Sequence, residues 1–197
     1  MRSFLLLPLL VVFSMIPTNG CVKGDNVSNI VKVDCHELDT IKLTRLPSSI
    51  RIQSYCGDYN FKEEALVKTL ELFVQEYSNT FEVDEAIVWL YLHDLRIEFS
   101  AIPRVVRAAY SVDGKPLTGD VPVSGLALSP KHIWVEIKTS QIWSSSLIHE
   151  LVHVVIWNQN AGIHGDPDHE GKNFSGWTKK HTTFIKNLNN QLLDMEI

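Results

Sequence analysis

The run Leu147-Ile148-His149-Glu150-Leu151-Val152-His153-Val154-Val155-Ile156-Trp157 constrains this chain more than any other stretch. Apart from two histidines and one glutamate, every side chain in it is apolar. A helix that is apolar nearly all round belongs in a protein interior. Its three polar residues fall in the order H-E-x-x-H. At 3.6 residues per turn, His149 and His153 lie one turn apart on one face, so both imidazoles reach a single metal ion. Glu150 projects beside them, where a carboxylate can take a proton from a water polarised by the metal. Burying an acid and two histidines is costly unless they are partnered. A zinc site therefore accounts for them better than a coincidental pair of core histidines.

The chain has 197 residues and a formal net charge of −5. Once a leader is set aside, that length suits one domain with a sizeable core. The acidic balance and the lack of a basic run argue against nucleic acid as the main partner. The start of the chain reads as a signal peptide over residues 1–20. Arg2 supplies the positive charge, Phe4 to Ile16 are apolar, and Pro17-Thr18-Asn19-Gly20 interrupts the run before Cys21. The apolar part is too short to span a bilayer but suits a secretory signal. The protein is expected to be exported to a bacterial cell envelope.

Three cysteines, Cys21, Cys35 and Cys56, are an odd number for an exported protein. Lipidation of Cys21 as the first mature residue resolves the parity and leaves Cys35 and Cys56 to form a disulfide. Thr18-Asn19-Gly20-Cys21 resembles a bacterial lipobox at Gly20, although Thr18 and Asn19 depart from it. A lipid on Cys21 would hold the protein at a membrane surface. The other reading is ordinary cleavage after Gly20, giving a periplasmic or secreted protein with Cys21 unpaired. Residues 21–60 read as an N-terminal extension containing the probable disulfide, irregular apart from a short hairpin. Residues 61–197 read as the main domain.

Within that domain, Asn60 is a candidate N-cap with Glu63 three residues later. Apolar residues from Phe61 to Tyr77 follow at helical spacing. Ala86 to Leu92, Leu95 to Phe99, Val105 to Val112 and Ile133 to Ile137 read as strands, the first with some helical character. Asp113-Gly114 is a hairpin signal. Gly119 to Leu128 reads as a loop. His93 and His132 have no companion motif and read as structural or surface residues. The apolar helix is expected to begin at Thr139 or Ser140 and to run to about Asn160, with Gly162 as its stop. A last helix reaches about Leu193, with Phe174, Trp177, His181, Phe184, Ile185, Leu188 and Leu192 as its buried stripe.

A catalytic zinc site uses three protein ligands and leaves a fourth position to water. The loop Gly162-Ile163-His164-Gly165-Asp166-Pro167-Asp168-His169-Glu170-Gly171 offers the third. His169 is preferred, because the helix that follows can hold it. His164 is an alternative, or a group that stabilises the oxyanion, and Glu170 would complete a His-His-Glu set. The loop aspartates suit a supporting role toward the histidines.

The order helix, strands, His149-Glu150-x-x-His153 helix, loop, His169, then Phe174 resembles the compact zincin metallopeptidases, SprT-like and minigluzincin-type proteins nearest among them. The likeness covers about residues 61–190 and is sharp only in the H-E-x-x-H motif. In His169-Glu170-Gly171-Lys172-Asn173-Phe174, Glu170 separates the histidine from the glycine, a departure from the SprT-like pattern. No cysteine cluster follows, so the zinc ribbon of some members is lacking. The DNA-linked role of such proteins does not suit an acidic, exported chain. The resemblance implies an α+β, zincin-like fold. It would hold an N-terminal helix, a small mixed or antiparallel sheet, the buried H-E-x-x-H helix and a C-terminal helix. It also implies Zn2+ held by His149, His153 and His169, with Glu150 catalytic.

The expected activity is hydrolysis of a protein or peptide substrate by a monomer, with Glu150 as general base. The strand Ile133 to Ile137 is expected to hold an extended substrate by strand addition. The competing class is a non-catalytic zinc-binding lipoprotein for metal capture or adhesion, which needs the histidines but not Glu150.

Overall fold

A computed structural model describes residues 30–31, 37–43, 45–55, 62–110, 116–161 and 176–197. The fold is α+β, with two sheets and four helices among these residues. The elements in chain order are β1 (Ile30–Val31), β2 (Glu37–Leu43), β3 (Ile50–Tyr55), α1 (Glu63–Phe81), α2 (Glu85–Tyr91), β4 (Arg96–Ser100), β5 (Arg104–Tyr110), β6 (Pro116–Val123), β7 (Gly125–Ser129), β8 (His132–Glu136), α3 (Leu147–Gln159) and α4 (Lys179–Asp194).

The main sheet has the strand order β2-β3-β4-β8-β7. Its inner pairs, β3 with β4 and β4 with β8, are parallel, and both edge strands run antiparallel to their neighbours. Parallel neighbours need a crossover, and α1 with α2 supplies the one between β3 and β4. Residues 37–55, expected as part of an irregular extension with a short hairpin, form the antiparallel pair β2–β3 and join it to this sheet.

Alternation along each strand divides the sheet into two faces. Ile52, Ile97, Ile133 and Ala127 lie in register across it, and all four are buried in the cluster that also holds the helices. Trp134 and Leu126 are register partners that face the other way. They are buried with Val106, Val121 and Val123 of the β5–β6 ribbon, which belongs to the second, antiparallel sheet β1-β5-β6.

Helix α1 buries Leu66, Leu70, Phe73, Val74 and Tyr77, the stripe expected from the sequence. It begins after Lys62, which makes no side-chain cap, and it runs on to Phe81. Asn60 lies outside the described residues. Residues 86–92, expected as a strand, form α2 instead. The Asp84 side chain accepts a hydrogen bond from the Ala86 N–H at 2.7 Å and starts the helix. Val88 and Leu92, one turn apart, enter the core, while Leu90 is 61% exposed. That burial period fits a helix and not a strand.

The stretch 119–128, expected as a loop, is the end of β6 followed by β7. Gly119 and Asp120 form a bulge opposite the β5 register shift, and Gly119 takes a φ of 92° there. Pro122 is tolerated because β6 is an edge strand.

The apolar helix also begins later than expected, at Leu147. Hydroxyl groups hold the chain in a different path beforehand. Thr139 Oγ1 and Ser144 Oγ are 2.8 Å apart, and Ser145 Oγ donates to the Ile142 carbonyl at 2.6 Å while accepting from the Leu147 N–H. Ser and Thr side chains that bond the backbone locally compete with helix formation. Thirteen residues remain in α3, about 20 Å at the usual rise, so it is shorter than the domain-crossing helix expected.

Candidate metal and catalytic site

Helix α3 packs on β7 and β8, with Leu147, Ile148, Leu151, Val152, Val154, Val155 and Ile156 fully buried. This burial fixes the rotation of the helix, so its polar residues have one place to point. His153 and Glu150 are both 1% exposed, and His149 is half-buried. The Nε2 atoms of His149 and His153 are 3.2 Å apart. Two imidazole nitrogens bound to one tetrahedral zinc at the usual bond length stand roughly 3.3 Å apart. The pair therefore suits a shared zinc ion in donor type and in spacing.

Trp177 covers this pair from the other side. Its ring centroid lies 5.0 Å from that of His149 and 4.7 Å from that of His153. Its Nε1 donates to Thr182 Oγ1 on α4 at 3.1 Å, which fixes the indole's orientation. Trp177 was expected on the last helix, but it stands just ahead of α4. The cap of that helix explains the boundary: Thr178 Oγ1 and the Thr178 N–H both lie within hydrogen-bond reach of His181 Nδ1, the N–H donating at 3.0 Å.

His181 is buried in an aromatic nest. It stacks on Phe81 with centroids 4.2 Å apart, and its Nε2 is 3.5 Å from the Tyr77 hydroxyl. Burial pulls its pKa down to about 4, against the smaller opposing effect of the bond to Thr178. The same burial pushes the Tyr77 phenol up. His181 is thus a neutral packing and capping residue at physiological pH.

Glu150 reaches away from α3 toward the start of β7. It fills the space beside Gly125, where a Cβ would lie 2.8 Å from both its Cγ and its Cδ. The carboxylate is thereby set between the histidine pair's helix and the outer strand of the sheet.

Among the described residues, the two histidines left, His93 and His132, are exposed or structural. His93 is at the surface, 3.4 Å from Asp94. His132 lies on the ribbon-facing side of the sheet, and its Nε2 is 2.7 Å from Glu98 Oε1. Arg96 and Arg104 also pair with Glu98, at 2.8 and 3.2 Å. Burial raises the Glu98 carboxyl, but the bond to His132 and the charges of Arg104 and Arg96 outweigh it and hold the group below the usual carboxylate range. Arg104 also lies over the Trp134 ring at 4.9 Å, which ties the ribbon to the sheet.

Of the sequence-predicted site residues, the described structure brings His149 and His153 together and seats Glu150, on the same helix, against Gly125. His164, His169 and Glu170, the candidates for a third ligand, lie outside the described residues, as do Cys21, Cys35, Cys56 and Phe174. Among the described residues no group of three His, Cys, Asp or Glu side chains forms a metal cluster, and no helix is long and apolar enough to cross a membrane. Gly125 and Trp177 escaped the sequence reading as site neighbours. One sat in a stretch rich in Gly and Pro, and the other read as part of a helix stripe. Protein-family models, curated proteins and solved structures provide no match to this chain.

Proposed function

We propose that this chain is a zinc-dependent peptidase of the H-E-x-x-H type, with His149 and His153 as two of the zinc ligands and Glu150 as the general base. The observation that carries the reading is the 3.2 Å separation of the two Nε2 atoms, with a buried carboxylate on the same helix. His169 is the third ligand in this proposal, with His164 and Glu170 as alternatives to be separated by substitution. A zinc ion held by these residues would supply Lewis acidity to the scissile carbonyl and to the attacking water. Glu150 accepts the proton of that water and delivers it to the leaving amine. Trp177 shields the imidazole pair on one side and keeps both rings in place.

The expected role of Ile133 to Ile137 in holding substrate is corrected by the topology. β8 is flanked by β4 and β7, so both of its edges are paired. The outer edge of β7 is unpaired by any strand among the described residues. In the proposal an extended peptide adds to β7 through main-chain hydrogen bonds. There it passes beside Gly125 and Glu150.

Hydrolysis of an unbiased peptide mixture, with products read by mass spectrometry, tests the activity. The wild type is expected to cleave, and Glu150→Gln to lose roughly 100-fold or more of kcat while keeping its zinc. Zinc binding without cleavage would overturn the peptidase reading in favour of a non-catalytic zinc-binding protein.

A further inference from the structure

Gly125 ends a row that crosses the helix-facing side of the main sheet, from Phe99 to Val135 to Gly125. Phe99 and Val135 are buried and fill that side with their side chains. At Gly125 the row has no side chain, and the Glu150 carboxyl fills the place. A Cβ here would stand 2.8 Å from Cγ and Cδ of Glu150 and closer still to Oε1.

The backbone does not explain the glycine. The φ of Gly125 lies outside the left-handed region, in contrast to Gly119 at 92°. An L residue could adopt the Gly125 conformation, but its Cβ would have to displace the Glu150 carboxylate. Nor is the strand loosely attached at this point. The Glu136 N–H donates to the Ser124 carbonyl at 2.8 Å, and Ser124 Oγ donates to Glu136 Oε2 at 3.1 Å. On the other side, α3 is locked by its buried faces. Relief must then come from the Glu150 side chain itself, which is 1% exposed between two walls that packing holds in place.

We propose that Gly125 is a positioning residue for Glu150, its missing side chain being the seat that holds the carboxylate between α3 and the edge strand. The seat itself is independent of the activity. Its catalytic consequence rests on the peptidase reading, in which it fixes the peptide bond beside Gly125 as the one presented to Glu150.

Thermal unfolding of the full chain tests the seat with the wild type, Gly125→Ala, Glu150→Ala and the double variant. Gly125→Ala is expected to lower Tm by roughly 5 °C or more when Glu150 is present. In the Glu150→Ala background the same change is expected to leave Tm unchanged or raise it, because an alanine then fits the backbone. An insoluble Gly125→Ala beside a folded double variant would be the stronger form of that result. Similar losses in both backgrounds, or no loss in either, would overturn the proposal. This readout needs neither zinc nor turnover, so a chain that bound no zinc would sink the peptidase reading and leave the seat standing. In an active enzyme, Gly125→Ala is expected to cut kcat roughly 100-fold with KM and zinc content held. A rise in KM at unchanged kcat would contradict the positioning role.

Discussion

His149 and His153 owe their meeting at 3.2 Å to residues that are not themselves polar. The buried leucines, isoleucines and valines of α3 fix the helix rotation, and Trp177 closes on both rings from the chain leading into α4. The aromatic contacts continue through His181, which stacks on Phe81 and is tilted against Trp177 and Tyr77. His181 therefore links the packing around the site to the pH dependence of the fold. Its imidazole titrates at about 4 in the folded protein and at 6.5 in its ordinary state. Above 6.5 both states are neutral and the group costs nothing. As pH falls from 6.5 toward 4 the unfolded chain takes up a proton that the folded chain refuses, so stability is lost across that window. The urea midpoint is expected to fall over this range in the wild type, and His181→Gln to flatten that part of the profile. A wild-type midpoint that is level from pH 6.5 to 4 would contradict the assignment. Glu98, held below the usual carboxylate range, adds its own loss only at lower pH.

Long amphipathic patterns were legible in the sequence as elements, and short apolar runs were legible only in part. The stripes of α1 and α4 and the strands β4, β5 and β8 stand close to where their residues place them. Residues 86–92 carry β-branched and aromatic side chains, yet the Asp84 cap and the burial of Val88 and Leu92 make them a helix. Residues 119–128 looked like a loop because Gly and Pro punctuate them, and only long-range pairing with β5 and β8 makes them strands. The site shows the same division. His149, Glu150 and His153 are local in sequence and could be read directly. Gly125 and Trp177 reach the site by tertiary contact, which one-dimensional spacing does not encode.

The β2–β3 hairpin adds a prediction of its own. Glu37 and Tyr55 are register partners at its open end. The expected bridge pairs Cys35 with Cys56, which lie outside the described residues. Non-reducing peptide mapping of the mature protein is expected to recover Cys35 and Cys56 in one linked pair. Free thiols at both positions would refute it. A bridge closing a loop of this size would stabilise the fold by about 3 kcal/mol in the chain-entropy model.

At the scale of the whole molecule, the helices cover one face of a mixed five-stranded sheet and a β-ribbon covers part of the other. The catalytic candidates lie where the apolar helix meets an edge strand, at the margin of the core and not at its centre. Such a margin gives the site residues rigid support from the sheet. In the proposed function His149 and His153, at this margin, hold zinc. Elemental analysis of the purified full-length protein tests it most directly, with wild type beside His153→Ala, His169→Ala and His164→Ala. One zinc per chain is expected in the wild type and in His164→Ala, lost in His153→Ala and His169→Ala. A wild-type protein that carries no zinc, even after the metal is added back, would rule out a zinc site at His149 and His153.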